Sequence, residues 1–208
     1  MEEILIDQRL MSNLNCGLYI LSTKNQNKDN ACIVDSVVQI TSMPTRIIVG
    51  VNNNNLSHDY IMETKEFNLS VLDEDVPLSI FQKFGYVSGK EVDKFSDIIN
   101  VKRSENGISY FTENVNTILS AKVVDIMKYE THTMFVAEVT SIEKINDIPS
   151  VTYKYYLDNI RISKNPQENK TKKYVCKICG YVHEGELNED FICPICKMGA
   201  EYFEEIKD

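Results

Sequence analysis

Over residues 1–162 the apolar positions fall in short runs of alternating or near-continuous hydrophobicity separated by polar clusters, the pattern of strands joined by turns. Residues 17–22 read as a strand that ends in a polar turn over 24–30, and further strands are predicted at 31–40, 45–51, 68–72, 116–126, 133–142 and 153–157. Asn106-Gly107 is a type I′ hairpin signal. Helical spacing is confined to 4–14, to 56–64, with His58 and Asp59 in its first turn, and to 76–84, with Pro77 near its start. About seven strands with few helices predict a mainly β fold, a closed or nearly closed antiparallel barrel.

The pattern changes at residue 163. Residues 163–173 are polar, contain Pro166 and lack apolar periodicity, which reads as a linker. Fully extended, such a segment reaches about 36 Å. Beyond it stand Cys176-Lys-Ile-Cys179 and Cys193-Pro-Ile-Cys196. Two C-x-x-C knuckles facing each other make a closed tetrahedral site of four thiolates, and residues 174–208 are too few to fold on apolar burial alone, so a metal is part of their stability. Zinc and iron both accept this ligand set, and the spacing does not choose between them.

Composition and charge narrow the picture. With 208 residues and 43% hydrophobic content the chain suits one globular domain of ordinary size plus the small metal module. The start, Met1-Glu-Glu, lacks a signal-peptide core and no apolar run approaches bilayer length, so a cytoplasmic protein without a membrane role is expected. Cys16 and Cys32 fall outside the metal pattern and are expected to be reduced thiols. The net charge of −9 divides into −7 over residues 1–162, +3 over 163–173 and −5 over 174–208. No basic face is evident, which argues against nucleic acid, and the acidic C-terminal module is expected to steer toward a basic patch on a partner. There is no G-x-G-x-x-G after a strand, no Walker loop, no H-E-x-x-H and no G-x-S-x-G.

Two resemblances add what spacing leaves open. Tyr174-Val-Cys-x-x-Cys-Gly-Tyr-Val-His-Glu-Gly, the Cys-Pro-x-Cys knuckle and Phe203 resemble the short rubredoxin modules of rubrerythrins, which implies iron in an FeS4 centre on Cys176, Cys179, Cys193 and Cys196. Lys197 departs from the glycine usual in that family. In order along the chain, residues 17–22, Asp29 to Pro44, Val51-Asn52, Ser57-His58-Asp59, Phe84 to Phe95 and Thr131 to Val139 resemble the flavin-reductase-like proteins. The resemblance implies an FMN-binding split β-barrel over 1–162, a linker over 163–173, a rubredoxin-like domain over 174–208, and a homodimer with FMN near the subunit interface. The whole arrangement is similar to the high-molecular-weight rubredoxins of strict anaerobes.

For site residues the resemblance implies that Cys32, Ser36 and Val37 approach the flavin ring, that Gln39, Thr41 and Ser42 before Met43-Pro44 approach the ribityl phosphate, and that Asn30 also belongs to the cofactor site. Their hydroxyls and amides suit that role, although such residues also occur in plain strands and turns. Asn52, Ser57 and His58 lie in a loop and helix start suited to an anion, where His58 either meets the phosphate or caps the helix. Lys83 and Lys90 are candidates for neutralising the phosphate. His132 is the catalytic candidate, placed to orient a nicotinamide or tune the flavin, while His183 reads as a surface residue. The implied function is an oxidoreductase relay from NAD(P)H through FMN to the iron, with a flavodiiron protein as acceptor. A separate NAD(P)H oxidoreductase as donor, a free-flavin reductase, a binding protein with a structural zinc ribbon, and a pyridoxamine-phosphate-oxidase-like or haem-binding split barrel are the alternatives.

Overall fold

The computed structural model describes residues 8–26, 28–96, 101–161 and 172–206. The chain divides into two compact units, Cys16–Arg161 and a second that gathers Met1–Asn15 with Ile162–Asp208. In chain order the larger unit contains β1 (Tyr19–Asn25), β2 (Lys28–Val34), β3 (Val37–Ser42), β4 (Thr45–Asn52), α1 (Leu56–Thr64), β5 (Glu66–Leu72), α2 (Leu78–Phe81), β6 (Val101–Arg103), β7 (Ser109–Phe111), β8 (Val115–Lys128), β9 (His132–Lys144) and α3 (Tyr153–Tyr155).

Among the described residues, seven strands form one antiparallel sheet in the order β2-β1-β5-β8-β9-β4-β3. The sheet curls until β2 meets β4, leaving β3 as an outlying edge. The barrel interior is filled by Leu21, Cys32, Val34, Ile47, Val49, Val51, Phe67, Leu69, Ala121, Phe135 and Ala137, with Ile61 of α1 packed against them. The alternation of Ile47, Val49 and Val51 on β4 with outward-facing neighbours is the period of a strand buried on one face. β1 and β2 are buried on both faces, because Ile20 and Ala31 point into a second core with Phe81, Phe84, Phe111 and Tyr156. That accounts for their near-continuous apolar runs.

Several expectations need correction. The strand predicted over 31–40 is two strands: β2 pairs with β1 and β3 pairs with β4, so the chain changes sheet edge at Asp35-Ser36. Residues 153–157 are helical, with Thr152 Oγ1 accepting from Tyr155 N at 3.0 Å as an N-cap and a π turn over Tyr156–Ile160. The 153/156 spacing there turns Tyr156 onto Phe81 and Tyr153 onto Tyr156, both against the second core. The turn predicted over 24–30 is shorter, since β1 runs to Asn25 and β2 begins at Lys28.

At the Asn106-Gly107 hairpin only Gly107 takes the left-handed region, with φ 75, so the turn is not type I′. Asn106 serves instead as a side-chain partner, accepting from Ile108 N at 3.0 Å and donating to Asn68 Oδ1 at 2.9 Å. Met43-Pro44 forms a turn with a cis peptide bond between β3 and β4. The described part of the 4–14 helix is a 3₁₀ segment, Gln8–Asn13. The linker over 163–173 lies outside the described residues as far as 171, and Lys173 already opens a strand. Among the described residues no helix is long and apolar enough to cross a membrane.

Candidate functional site

The metal cluster is built on β10 (Lys173–Cys176), β11 (Val182–Glu184) and β12 (Phe203–Glu205), in the order β11-β10-β12. The two knuckles repeat one pattern. Gly180 N donates to Cys176 O at 2.8 Å and Cys176 N to Tyr181 O at 2.7 Å; Lys197 N donates to Cys193 O at 2.9 Å and Cys193 N to Met198 O at 2.8 Å. The turn after each pair needs a left-handed residue, supplied by Gly180 (φ 71) and by Lys197 (φ 62).

All four sulfurs lie within 4.8 Å of one another. The Cys176–Cys196 and Cys179–Cys193 pairs stand at 3.6 and 3.5 Å, against the about 3.8 Å that a tetrahedron with metal–sulfur bonds of about 2.3 Å requires. Hydrogen bonds from Cys179 and then Cys196 hold the Cys193 thiol far below its ordinary pKa, and the same Cys193 contact pushes Cys179 up. Phe203 packs edge-on against Tyr181 and Phe191 around it. His183 stacks on Phe191 and its Nε2 lies 3.1 Å from Glu186 O, outside the ligand set.

In the larger unit the predicted residues fall into three places. At the start of α1, Asn30 donates to Ser57 Oγ at 2.8 Å, and both are buried together with Cys32. They form the wall beneath the loop. Burial raises the Cys32 thiol pKa, hydrogen bonds from Ser57 and Asn55 opposing it, and burial also raises Cys16. Both cysteines are free. His58 is held on two sides: Nδ1 is 3.2 Å from Asp59 Oδ1 and Nε2 is 3.1 Å from Thr133 Oγ1. Because Thr133 donates its proton to Asn53 Oδ1 at 2.8 Å, it accepts from His58. Lys90 pairs with Asp59 at 3.0 Å, and α1 has no side-chain N-cap bond, although His58 N in its first turn already donates to Asn55 O at 3.1 Å.

Second, Ser36 and Val37 sit at the crossover between β2 and β3. Ser36 O accepts from Gly50 N at 2.8 Å, and a Cβ at Gly50 would lie 2.9 Å from the Ser36 Cβ. His132 pairs across the ladder with Asn52, so both belong to the same rim. Crowding of the exposed His132 ring lowers its pKa, and Asp35 opposes this. Third, Gln39, Thr41 and Ser42 lie at the opposite end of the β3–β4 hairpin. Thr41 pairs with Arg46, six residues from Asn52 along β4, a separation of about 20 Å. The Gln39 amide and the Thr41 hydroxyl bond Thr41 O and Pro44 O at 3.1 and 2.6 Å. Within one chain the structure therefore does not gather this last group with the α1 cluster.

Sequence reasoning passed over Thr133, Asn53, Asn55 and Lys94. Lys94 is buried and donates to Ala31 O and Phe84 O, both at 3.0 Å, tying the loop after α2 to β2. A lysine in a stretch rich in charge gives no local sign of burial. The outer face of β3, β8 and their neighbours carries exposed Val38 (61%), Ile40, Val124 and Met127, with Met43 (94%) at the hairpin turn.

Residues 11–162 match the flavin reductase like domain family, and residues 174–204 match the rubrerythrin, rubredoxin-like domain family. The chain thus belongs to the flavin reductase-like proteins and carries a C-terminal rubredoxin-like domain. It is 33% identical to a high molecular weight rubredoxin from Moorella thermoacetica, over 97% of this chain and 100% of that protein. It is 30% identical to a ferric-chelate reductase (NAD(P)H) from Archaeoglobus fulgidus, over 73% of this chain and 89% of the relative. The fold is similar to that of an NADH:FAD oxidoreductase from Streptomyces globisporus, with TM-score 0.63 and 15% identity over 73% of this chain and 93% of the other. A flavin-binding fold and an iron-type four-cysteine site in one chain make it an electron-transfer oxidoreductase.

Proposed function

We propose that this chain is a flavoprotein-rubredoxin that takes electrons from NAD(P)H at an FMN site on residues 1–162 and delivers them singly through an FeS4 centre on residues 174–208, across a linker at 163–173. The acceptor is a cytoplasmic partner such as a flavodiiron oxygen or nitric oxide reductase. The observation that carries this reading is the closed four-thiolate cluster on the same chain as a flavin reductase-like barrel. When bound, the flavin accepts two electrons together and releases them one at a time, and iron–thiolate supplies a one-electron outlet.

Within that reading the α1 N–H groups and Lys90 hold the phosphate, with His58 and Asp59 orienting that corner, and Ser36, Val37 and Asn52 border the ring. His132 lies on the rim, where a nicotinamide would stack. Asn30, Cys32 and Ser57 support the wall from behind. Gln39, Thr41 and Ser42 are the rival phosphate residues, and the two ends are told apart by comparing flavin affinity in Thr41→Ala and His58→Ala. The exposed apolar face with Val38 and Val124 supports a homodimer as the assembly.

The ferric-chelate reductase (NAD(P)H) among the relatives supports direct use of NAD(P)H over loading by a separate oxidoreductase. The test is an anaerobic visible spectrum with metal and flavin quantified, before and after adding NADH or NADPH. Flavin and ferric-thiolate bands that bleach together are expected. Bands that bleach only when a second oxidoreductase is supplied would make the chain a carrier, and a colourless zinc protein would overturn the relay.

A further inference from the structure

Charge in the metal-binding module is not spread evenly. Between residues 174 and 206 the sequence has two lysines, Lys177 and Lys197, and each directly follows a metal-site cysteine, Cys176 or Cys196. Covalent geometry alone sets each lysine Cα about 3.8 Å from a ligand's Cα. Both are exposed. No carboxylate of the module directly adjoins a metal-site cysteine in sequence. In the ladder Glu184 stands opposite Lys173, to which it is paired at 3.0 Å, Glu205 opposite Tyr174, and Glu204 opposite Val175, next to Cys176. Glu186, Glu189 and Asp190 occupy the loop before Phe191. Glu201 follows the second knuckle, and its side chain is folded back over Gly199.

Beside the lysines sit two exposed isoleucines: Ile178, 36% exposed, between the first two ligands, and Ile192, 60% exposed, just before Cys193. We propose that the metal pole of this otherwise acidic module is a docking face with an apolar centre and a cationic border, shaped for a partner protein whose redox cofactor opens in an apolar patch bordered by carboxylates. This rests on the four-thiolate reading of the cluster and is the alternative to the basic partner patch expected from net charge. At contact, charges beyond about 10 Å are screened at 0.1 M salt, so the lysines beside the cluster count for more than the carboxylates at the far end of β10. The isoleucines favour a protein surface over a free small anion.

The experiment is amide NMR of the full chain with zinc loaded in the cluster, using hexacyanochromate(III) as an anionic paramagnetic probe and hexaamminechromium(III) as its cationic counterpart. The anion is expected to broaden amides around Lys177–Cys179 and Cys196–Met198 selectively, and the cation those around Glu184 and Glu205. Lys177→Gln with Lys197→Gln should abolish the anion's effect, while Lys197→Arg keeps it. Lys197→Gly, which removes charge and backbone strain together, separates loss of charge from loss of folding. Even broadening over the module, or the cation choosing the metal pole, would overturn the proposal. Because the probes need no electron transfer, this result is independent of whether the native metal is iron.

Discussion

At the scale of single residues, the second knuckle holds a lysine where the first has glycine, at nearly the same backbone angles: φ 62 for Lys197 and 71 for Gly180. The left-handed region crowds a Cβ against its own carbonyl. Lys197→Gly is therefore expected to stabilise the metal-loaded module by about 0.5–1 kcal/mol after allowing for the greater freedom of glycine in the unfolded chain. Thermal unfolding followed at the metal chromophore measures it. The cysteines admit no such latitude. Cys179→Ser or Cys193→Ser removes a thiolate from a four-ligand cage whose binding energy is also folding energy, so metal content should fall to background while flavin stays bound. Unchanged metal content in both variants would refute the ligand assignment.

At the scale of elements, the start of α1 is held to β9 and to the loop after α2 through His58, Thr133, Asp59 and Lys90. Partial burial raises the pKa of the Asp59 carboxyl, but hydrogen bonds from Lys90 and His58, with their charges, outweigh it and leave the value below 3.8. The folded chain thus binds this proton more weakly than the unfolded one. The resulting stability is complete above the unfolded pKa and disappears as pH falls through the lowered folded value. Lys90→Met is expected to cost under about 1 kcal/mol at neutral pH, because the pair is half exposed. Urea midpoints of the variant and the parent should converge below about pH 3. A gap that persists in acid would assign the effect to lost packing.

At the scale of the whole molecule, the outer sheet face presents Val38, Ile40 and Val124 to solvent in a single chain. Large apolar side chains exposed on one sheet face point to an interaction site, and a second copy is the occupant proposed here. Val38→Glu places a charge on that face and should shift sedimentation from dimer to monomer with little change in the fold by circular dichroism. If the parent chain sediments as a monomer at micromolar concentration, the proposed assembly fails. Flavin affinity measured on the same variant would then report how far the site depends on the neighbouring copy.

The sequence alone determined the four-thiolate cluster, because a C-x-x-C knuckle is local: its ligands, its turn and its N–H groups lie within a few residues. It also determined most strands and α1, whose apolar spacing follows directly from burial on one or two faces. Only the tertiary structure decided that residues 31–40 divide between two edges of one sheet, because nothing in a run of apolar residues records which partner each half pairs with. The helical turn at 153–160 was likewise set by tyrosine packing against Phe81, although Thr152 as an N-cap was a readable sign. The candidate flavin residues were named through family likeness; folding put Asn30, Cys32 and Ser57 into a buried wall and Gln39, Thr41 and Ser42 at the far end of a hairpin. Thr133 and Lys94 became visible only in space, since hydrogen bonds across 75 and 63 residues leave no trace in local pattern.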